Sequence, residues 1–208
     1  MNIQKTFFYK VLRFLYFYIS EMEEKRLGVD FSSQNTSRSD LNQLISNHYS
    51  PSSNGLVHIL KKMDIKRTDR IIDIGCGKGK AMYMMSKFSF CEIDGYDISE
   101  ELCDIARRNI SVLKLTNCKV FCANAEEFKE YDEYNFFYIY NSVPKSVFIS
   151  VFKNIKDSVL RDERKIHIIC LNPVYHDIIM SDSSFSVALE YKTLISWFDL
   201  NCYTNLQL

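Results

Sequence analysis

Asp73 stands two residues ahead of three glycines at alternate positions, in the run Arg70-Ile-Ile-Asp-Ile-Gly-Cys-Gly-Lys-Gly-Lys80. An apolar stretch that breaks this way reads as a buried strand, a tight turn and a helix start, with the helix expected from Gly79 to about Phe88. Bare main chain at Gly75, Gly77 and Gly79 lets a ligand lie directly on the backbone. The first N–H groups of the helix have no partner within it, so the turn is also expected to act as an anion seat. Spacing narrows the ligand class. A dinucleotide turn needs G-x-G-x-x-G, but the sixth position here is Lys80, and the P-loop pattern G-x-x-x-x-G-K-[ST] does not occur.

What remains, D-x-G-x-G-x-G after a strand, resembles motif I of the class I S-adenosylmethionine-dependent methyltransferases. Tyr49-Ser-Pro51 is similar to the Y-x-P turn of small bacterial members related to polysaccharide gene clusters, and the resemblance covers residues 49 to 204. It implies that Asp73 faces the amino group of the methionine moiety, while the turn Gly75, Cys76, Gly77 and Gly79 cradles its carboxylate and the ribose. Charge agrees, since this ligand carries an ammonium and a sulfonium that one carboxylate favours and a pyrophosphate site would not. The alternative is a glycine-rich strand-to-helix turn that binds nothing.

The following segments fit the same order. Cys91-Glu-Ile-Asp-Gly-Tyr-Asp-Ile98 reads as a second strand that ends at Asp97, 18 residues after Gly79, where an acid can take both ribose hydroxyls. Ile98 is then expected against the adenine face. Lys119 to Phe128 looks like a third strand running into the loop that family members often write as G-D-A. Here Asn124 replaces the acid and Ala125 follows, and the Asn124 amide oxygen is able to accept from the adenine amine. A fourth strand, Asn135 to Tyr140, delivers Asn141-Ser-Val-Pro144 to the rim. The corresponding motif of base-modifying amino methyltransferases is [DN]-P-P-[YF]. The adjacent prolines and terminal aromatic are missing here, which argues against a base as acceptor. Asn141 is the expected acceptor-positioning residue, with Tyr49 and His48 behind it. Asn172-Pro-Val-Tyr175 spells that motif more closely but follows the fifth strand, Ile166 to Leu171, and is expected to be rim structure.

The elements that must hold these residues form an α/β fold. The expectation is a Rossmann-like, seven-stranded, mostly parallel sheet with helices on both faces and an antiparallel last strand, occupying residues 49–208. Residues 1–48 form an N-terminal helical extension and linker. Helices are expected around Leu41 to Asn47, after a cap at Ser52, Ser53 or Asn54, from Ser99 through Leu113, and from Lys145 to Val159. Phe185 to Thr193 and Trp197 to Thr204 read as a closing hairpin. Glu21 to Asp40 turns polar and reads as a loop or flexible linker.

Composition bounds the rest. With 26 basic and 26 acidic residues among 208, no overall field draws the chain to a phosphate backbone, which argues against nucleic acid. Cys76, Cys91, Cys103, Cys118, Cys122, Cys170 and Cys202 show no C-x-x-C or paired metal spacing, so no metal site is expected and a reducing cytoplasm is. Residues 7–19 are the most aromatic segment, interrupted by Lys10 and Arg13 and too short to span a bilayer. They suit either a helix docked on the domain or on a second subunit, or an interfacial helix on an anionic membrane. The function expected is methyl transfer from S-adenosyl-L-methionine to an oxygen or nitrogen of a small molecule or glycan. The alternatives are a non-catalytic cofactor-binding subunit and a protein lysine methyltransferase.

Overall fold

The computed structural model describes residues 18–31, 54–140, 143–192 and 199–205. Its strands are β1 (Arg70–Ile74), β2 (Glu92–Asp97), β3 (Cys118–Cys122), β4 (Phe136–Tyr140), β5 (His167–Leu171), β6 (Phe185–Tyr191) and β7 (Leu200–Asn205). They build one sheet in the order β3-β2-β1-β4-β5-β7-β6. β1 to β5 pair in parallel, and β7 runs antiparallel between β5 and β6, as the sequence pattern leads one to expect. The helices are α1 (residues 18–27), α2 (Asn54–Lys61), α3 (Lys80–Met85), α4 (Glu100–Val112), α5 (Lys145–Arg161) and α6 (His176–Met180).

Strand alternation divides the apolar residues between the two faces. On one face Ile72, Ile74, Phe137, Ile139 and Ile168 pack with Phe148, Val151, Phe152 and Ile155 of α5. On the other Ile71, Ile93, Tyr138 and Ile169 pack with Leu56, Ile59 and Leu60 of α2 and Met82 and Met85 of α3. Covering both faces is what lets the parallel strands be apolar throughout. Strand order reverses between β1 and β4, so a crevice opens beyond their carboxyl ends, where sheets of this type take ligands. Among the described residues no helix is long and apolar enough to cross a membrane.

The structure corrects several boundaries. α3 stops at Met85 rather than Phe88, because the Ser86 hydroxyl turns back to donate to the Tyr83 carbonyl at 2.8 Å. α6 was not anticipated, since five residues carry no readable period. The larger correction concerns Glu21 to Asp40. Residues 21–27 of this supposed linker belong to α1, and residues 28–31 run on as a strap whose Phe31 is buried. Glu24 is buried, and Ser20 and Asp30 are half-buried, while Glu21, Glu23, Lys25 and Arg26 face water. Gly28, at φ +71°, ends the helix as its N–H and that of Val29 donate to the Lys25 and Glu24 carbonyls. Residues 7–17 of the aromatic run, the helix expected at Leu41 to Asn47, and Ser52 and Ser53 lie outside the described residues.

Candidate active site at the glycine turn

The turn after β1 is held from below by β2. Gly75 and Cys76 both donate N–H to the Tyr96 carbonyl at 2.9 Å, Gly77 donates to Asp97 Oδ2 at 3.0 Å, and Gly79 donates to the Cys76 carbonyl at 2.9 Å. The anion seat therefore takes a different form from the one expected. Four N–H groups of the turn are already paired, one of them with a carboxylate, and α3 is only six residues long. Gly77 sits at φ +52°, and a Cβ built there meets nothing within 4 Å, so the backbone at this point faces open space.

Gly95 of β2 makes the close packing of the turn feasible. A Cβ at this position would lie 2.7 Å from Cys76 Cβ and 2.7 Å from Met82 Sδ. Met82 is flexible and can yield, but Cys76 Cβ is fixed to the turn itself. Gly95→Ala should therefore displace the turn, costing about 2 kcal/mol in a urea titration. A variant as stable as the parent would show that the turn is not seated this tightly.

Asp73 ends up between Gly95 and Tyr138 in the sheet register and is 2% exposed. Among the described residues no N–H or O–H donates to its carboxylate. Burial, and secondly the nearby negative charge of Asp97, push its pKa up to about 8. An acid so placed lacks a cation. Asp97 stands at the end of β2, where Oδ2 accepts from Gly77 and Oδ1 from the Ser99 N–H at 3.0 Å. Ser99 in turn caps α4 through the Leu102 N–H. Ile98 is 44% exposed, an apolar face left open beside Asp97. The Ala123 N–H donates to the Asp97 carbonyl at 3.0 Å, which brings the loop after β3 to the same edge. In that loop the Asn124 side chain accepts from the Glu126 N–H at 3.0 Å, while the Ala125 methyl is buried in the core. Burial and the charge of Asp73 hold the Cys76 thiol well above its usual range, so it is no nucleophile.

The crevice thus gathers Asp73, Gly75, Cys76, Gly77, Gly79, Asp97 and Ile98, with Asn124 on the neighbouring loop. Asn141, His48 and Tyr49 lie outside the described residues. The Tyr175 hydroxyl donates to the Val143 carbonyl at 3.1 Å and stitches the loops after β4 and β5 together. Asn172, at φ +53°, makes the bend that follows β5.

Sequence reasoning missed a set of charged residues around the turn. Lys78 is 4% exposed and its ammonium donates to both carboxylate oxygens of Asp30 at 3.2 Å. Lys80, 9% exposed, donates to Ser20 Oγ at 2.7 Å and to Glu24 Oε1 at 3.4 Å. Its pKa is lowered by burial, against the opposing pull of Glu24. Glu24 Oε2 accepts from the Phe31 N–H at 3.0 Å, and the Phe31 ring stacks on Tyr83 of α3. Asn109 of α4 bridges the two parts, donating to the Asp30 and Lys78 carbonyls and accepting from the Asp30 N–H. One signal was present: Asn109 interrupts the otherwise apolar face of α4, a position where a polar side chain needs designated partners.

Residues 71–162 match the family model of the methyltransferase domain. Over that span, a little under half of the chain, the sequence is that of a methyltransferase domain. Over 57 residues the chain is 35% identical to a ribosomal protein L11 methyltransferase from Acetivibrio thermocellus, a match that takes in 27% of this chain and 18% of that protein. Among solved structures, the fold resembles a ribosomal protein L11 methylase from Lactobacillus delbrueckii subsp. bulgaricus. That likeness has a TM-score of 0.56 at 12% identity, over 72% of this chain and 76% of the other. It also resembles an rRNA methylase from Streptococcus thermophilus with a TM-score of 0.55 at 15% identity, over 76% and 98%. At these identities the structural likeness bears on the fold alone. The methyltransferase domain begins one residue into β1 and ends one residue past α5. Its matched span contains the glycine turn, Asp73, Asp97 and Asn124.

Proposed function

We propose that the methyltransferase domain binds S-adenosyl-L-methionine over the glycine turn and transfers its methyl group to an oxygen or nitrogen of a small molecule or glycan. The observation that carries this reading is Asp73. A buried carboxylate with no donor among the described residues, beside backbone that opens to solvent at Gly77, suits a ligand that brings a cation. The residues present fit the cofactor. Asp73 would take its ammonium, Asp97 its ribose hydroxyls, and Ile98 its adenine face, with Asn124 at the adenine edge. Among the described residues, one backbone N–H donates to each oxygen of Asp97.

When bound, the cofactor would supply a sulfonium-activated methyl group that passes to the acceptor oxygen or nitrogen, with the electron pair of the broken C–S bond left on sulfur and the acceptor proton lost to solvent or a neighbouring base. The work of this chain is placement: holding the acceptor in line with the departing sulfur accounts for much of the acceleration in such a transfer. Asn141, which follows β4 in the sequence, is assigned that task, with Tyr49 and His48 as further candidates for contact with the acceptor. A balanced charge supports a neutral or small acceptor over a nucleic acid. A protein amine is the second reading, favoured by the 35% identical segment shared with a ribosomal protein methyltransferase.

Calorimetric titration of the full chain with S-adenosylmethionine, S-adenosylhomocysteine and NAD tests the cofactor. Binding of the first two but not of NAD is expected, with a loss of at least about tenfold in Asp97→Ala, since it removes a charge-assisted hydrogen-bond partner. Incubation with methyl-labelled cofactor and a fractionated extract then separates the acceptors. Label in the low-molecular-weight or glycan fraction supports the proposal, label on protein supports the second reading, and cofactor binding without any labelled product overturns both.

A further inference from the structure

Two lysine side chains sit buried at the edge of a turn that, on the reading above, receives a ligand of net positive charge. That placement is unfavourable on its face. Lys78 lies between Gly77 and Gly79 of the turn, and Lys80 opens the helix that follows. Left alone, both ammonium groups would repel a sulfonium and attract an anion. They are not left alone, because α1 and residues 28–31 cross over them and present one acid to each. Lys78 is met by both oxygens of Asp30, and Lys80 by Glu24 and Ser20. α1 buries Glu24 against Lys80, while Glu21, Glu23, Lys25 and Arg26 stay exposed and so do Tyr18, Ile19 and Met22 at 55%, 64% and 54%. A carboxylate buried beside exposed apolar side chains is not what apolar packing alone would give.

The geometry points to Glu24 and Asp30 as residues that determine specificity: by neutralising Lys80 and Lys78 they set the glycine turn to prefer a cationic over a neutral ligand. The inference rests on the S-adenosylmethionine reading of the crevice and adds to it the N-terminal strap as a positioning element. Asn109 fixes the register of the arrangement, since it holds the Asp30 and Lys78 main chains to one another. A uniform steric role for the strap would affect charged and neutral nucleosides alike. An electrostatic role would not.

S-adenosylmethionine and S-adenosylhomocysteine differ by one methyl group and one positive charge, so the ratio of their dissociation constants reports the charge preference directly. Both are titrated into the full chain and into Glu24→Gln, Asp30→Asn and the double variant at low salt. An uncompensated ammonium at a separation on the order of 10 Å changes cation binding by roughly 15-fold at an effective dielectric of about 20. The double variant, which leaves two such groups, is therefore expected to lose at least about that factor of its preference for the sulfonium form. Because removing an acid beside a buried lysine can unfold a protein, Lys78→Met supplies an arm of opposite sign, and here the preference for the sulfonium form should rise. A ratio unmoved in the acid variants and in Lys78→Met, with both nucleosides still bound, overturns the inference and leaves the cofactor reading standing. A parent chain that binds neither nucleoside overturns the reading itself, and the inference with it.

Discussion

Asp73→Asn should abolish binding of S-adenosylmethionine while making the ligand-free protein harder to unfold at alkaline pH. The two effects have one cause. In the folded chain the Asp73 pKa is raised to about 8, first by burial and then by Asp97, against about 4 for a free aspartate. A group whose folded pKa is raised costs nothing below its unfolded value, where it is neutral in both states. The cost grows as pH climbs from about 4, because the unfolded chain ionises and the folded one resists. It levels off above about 8, once the folded group ionises too. Each unit of pH in that window costs about 1.4 kcal/mol, so the asparagine variant should gain on the order of 2 to 5 kcal/mol relative to the parent at pH 8.5 and nothing at pH 4. Urea titrations at both values give the comparison.

The same carboxylate makes cofactor binding depend on pH. A cationic ligand selects the ionised form, so the affinity of the parent chain should rise towards pH 8 and then flatten, with a proton released on binding. Calorimetry in two buffers of different ionisation enthalpy would detect that proton. The asparagine variant should show neither binding nor release. If it bound the cofactor as tightly as the parent, or proved less stable at pH 8.5, the role given to Asp73 would be wrong.

What the sequence made legible is governed by distance along the chain. The glycine turn, the acid at the end of β2 and the alternating strands are local signals, and they placed the sheet and one half of the crevice. The N-terminal strap is not local. Lys78 meets Asp30 across 48 positions, Lys80 meets Glu24 across 56, and Asn109 meets Asp30 across 79. Composition misled as well, because a polar stretch with a glycine normally means loop, and here its acids are the partners of buried lysines. α1 exposes Tyr18, Ile19 and Met22 and buries Glu24, so a rule that reads burial from hydrophobicity misplaces those four residues. Gly95 was equally silent. A glycine inside a strand signals close approach of something, and only the fold says that it is the Cys76 side chain.

Asn109→Ala should be the most damaging substitution outside the crevice, at about 3 kcal/mol of stability. The side chain is 2% exposed and makes three hydrogen bonds, to the Asp30 carbonyl at 2.7 Å, the Lys78 carbonyl at 3.0 Å and the Asp30 N–H at 2.9 Å. Alanine removes the partner of three main-chain groups at once, and each buried group deprived of its partner costs about 1 to 3 kcal/mol. Water entering the gap would reduce the sum, which sets the expectation near the lower end. Aspartate is the informative control. It retains the acceptor for the Asp30 N–H but turns a second carboxylate oxygen towards two carbonyls, so Asn109→Asp should be at least as destabilising as alanine above neutral pH. Hydrogen exchange at the Asp30 and Phe31 amides should quicken in both variants, because the strap loses its anchor to α4 before the sheet loses anything. Exchange at β1 and β4 should change only in step with global stability. If Asn109→Ala unfolded within 1 kcal/mol of the parent, or left those two amides as protected as before, the strap would have to be held by its lysines alone, and Asn109 would be a satisfied core amide with no hold on the glycine turn.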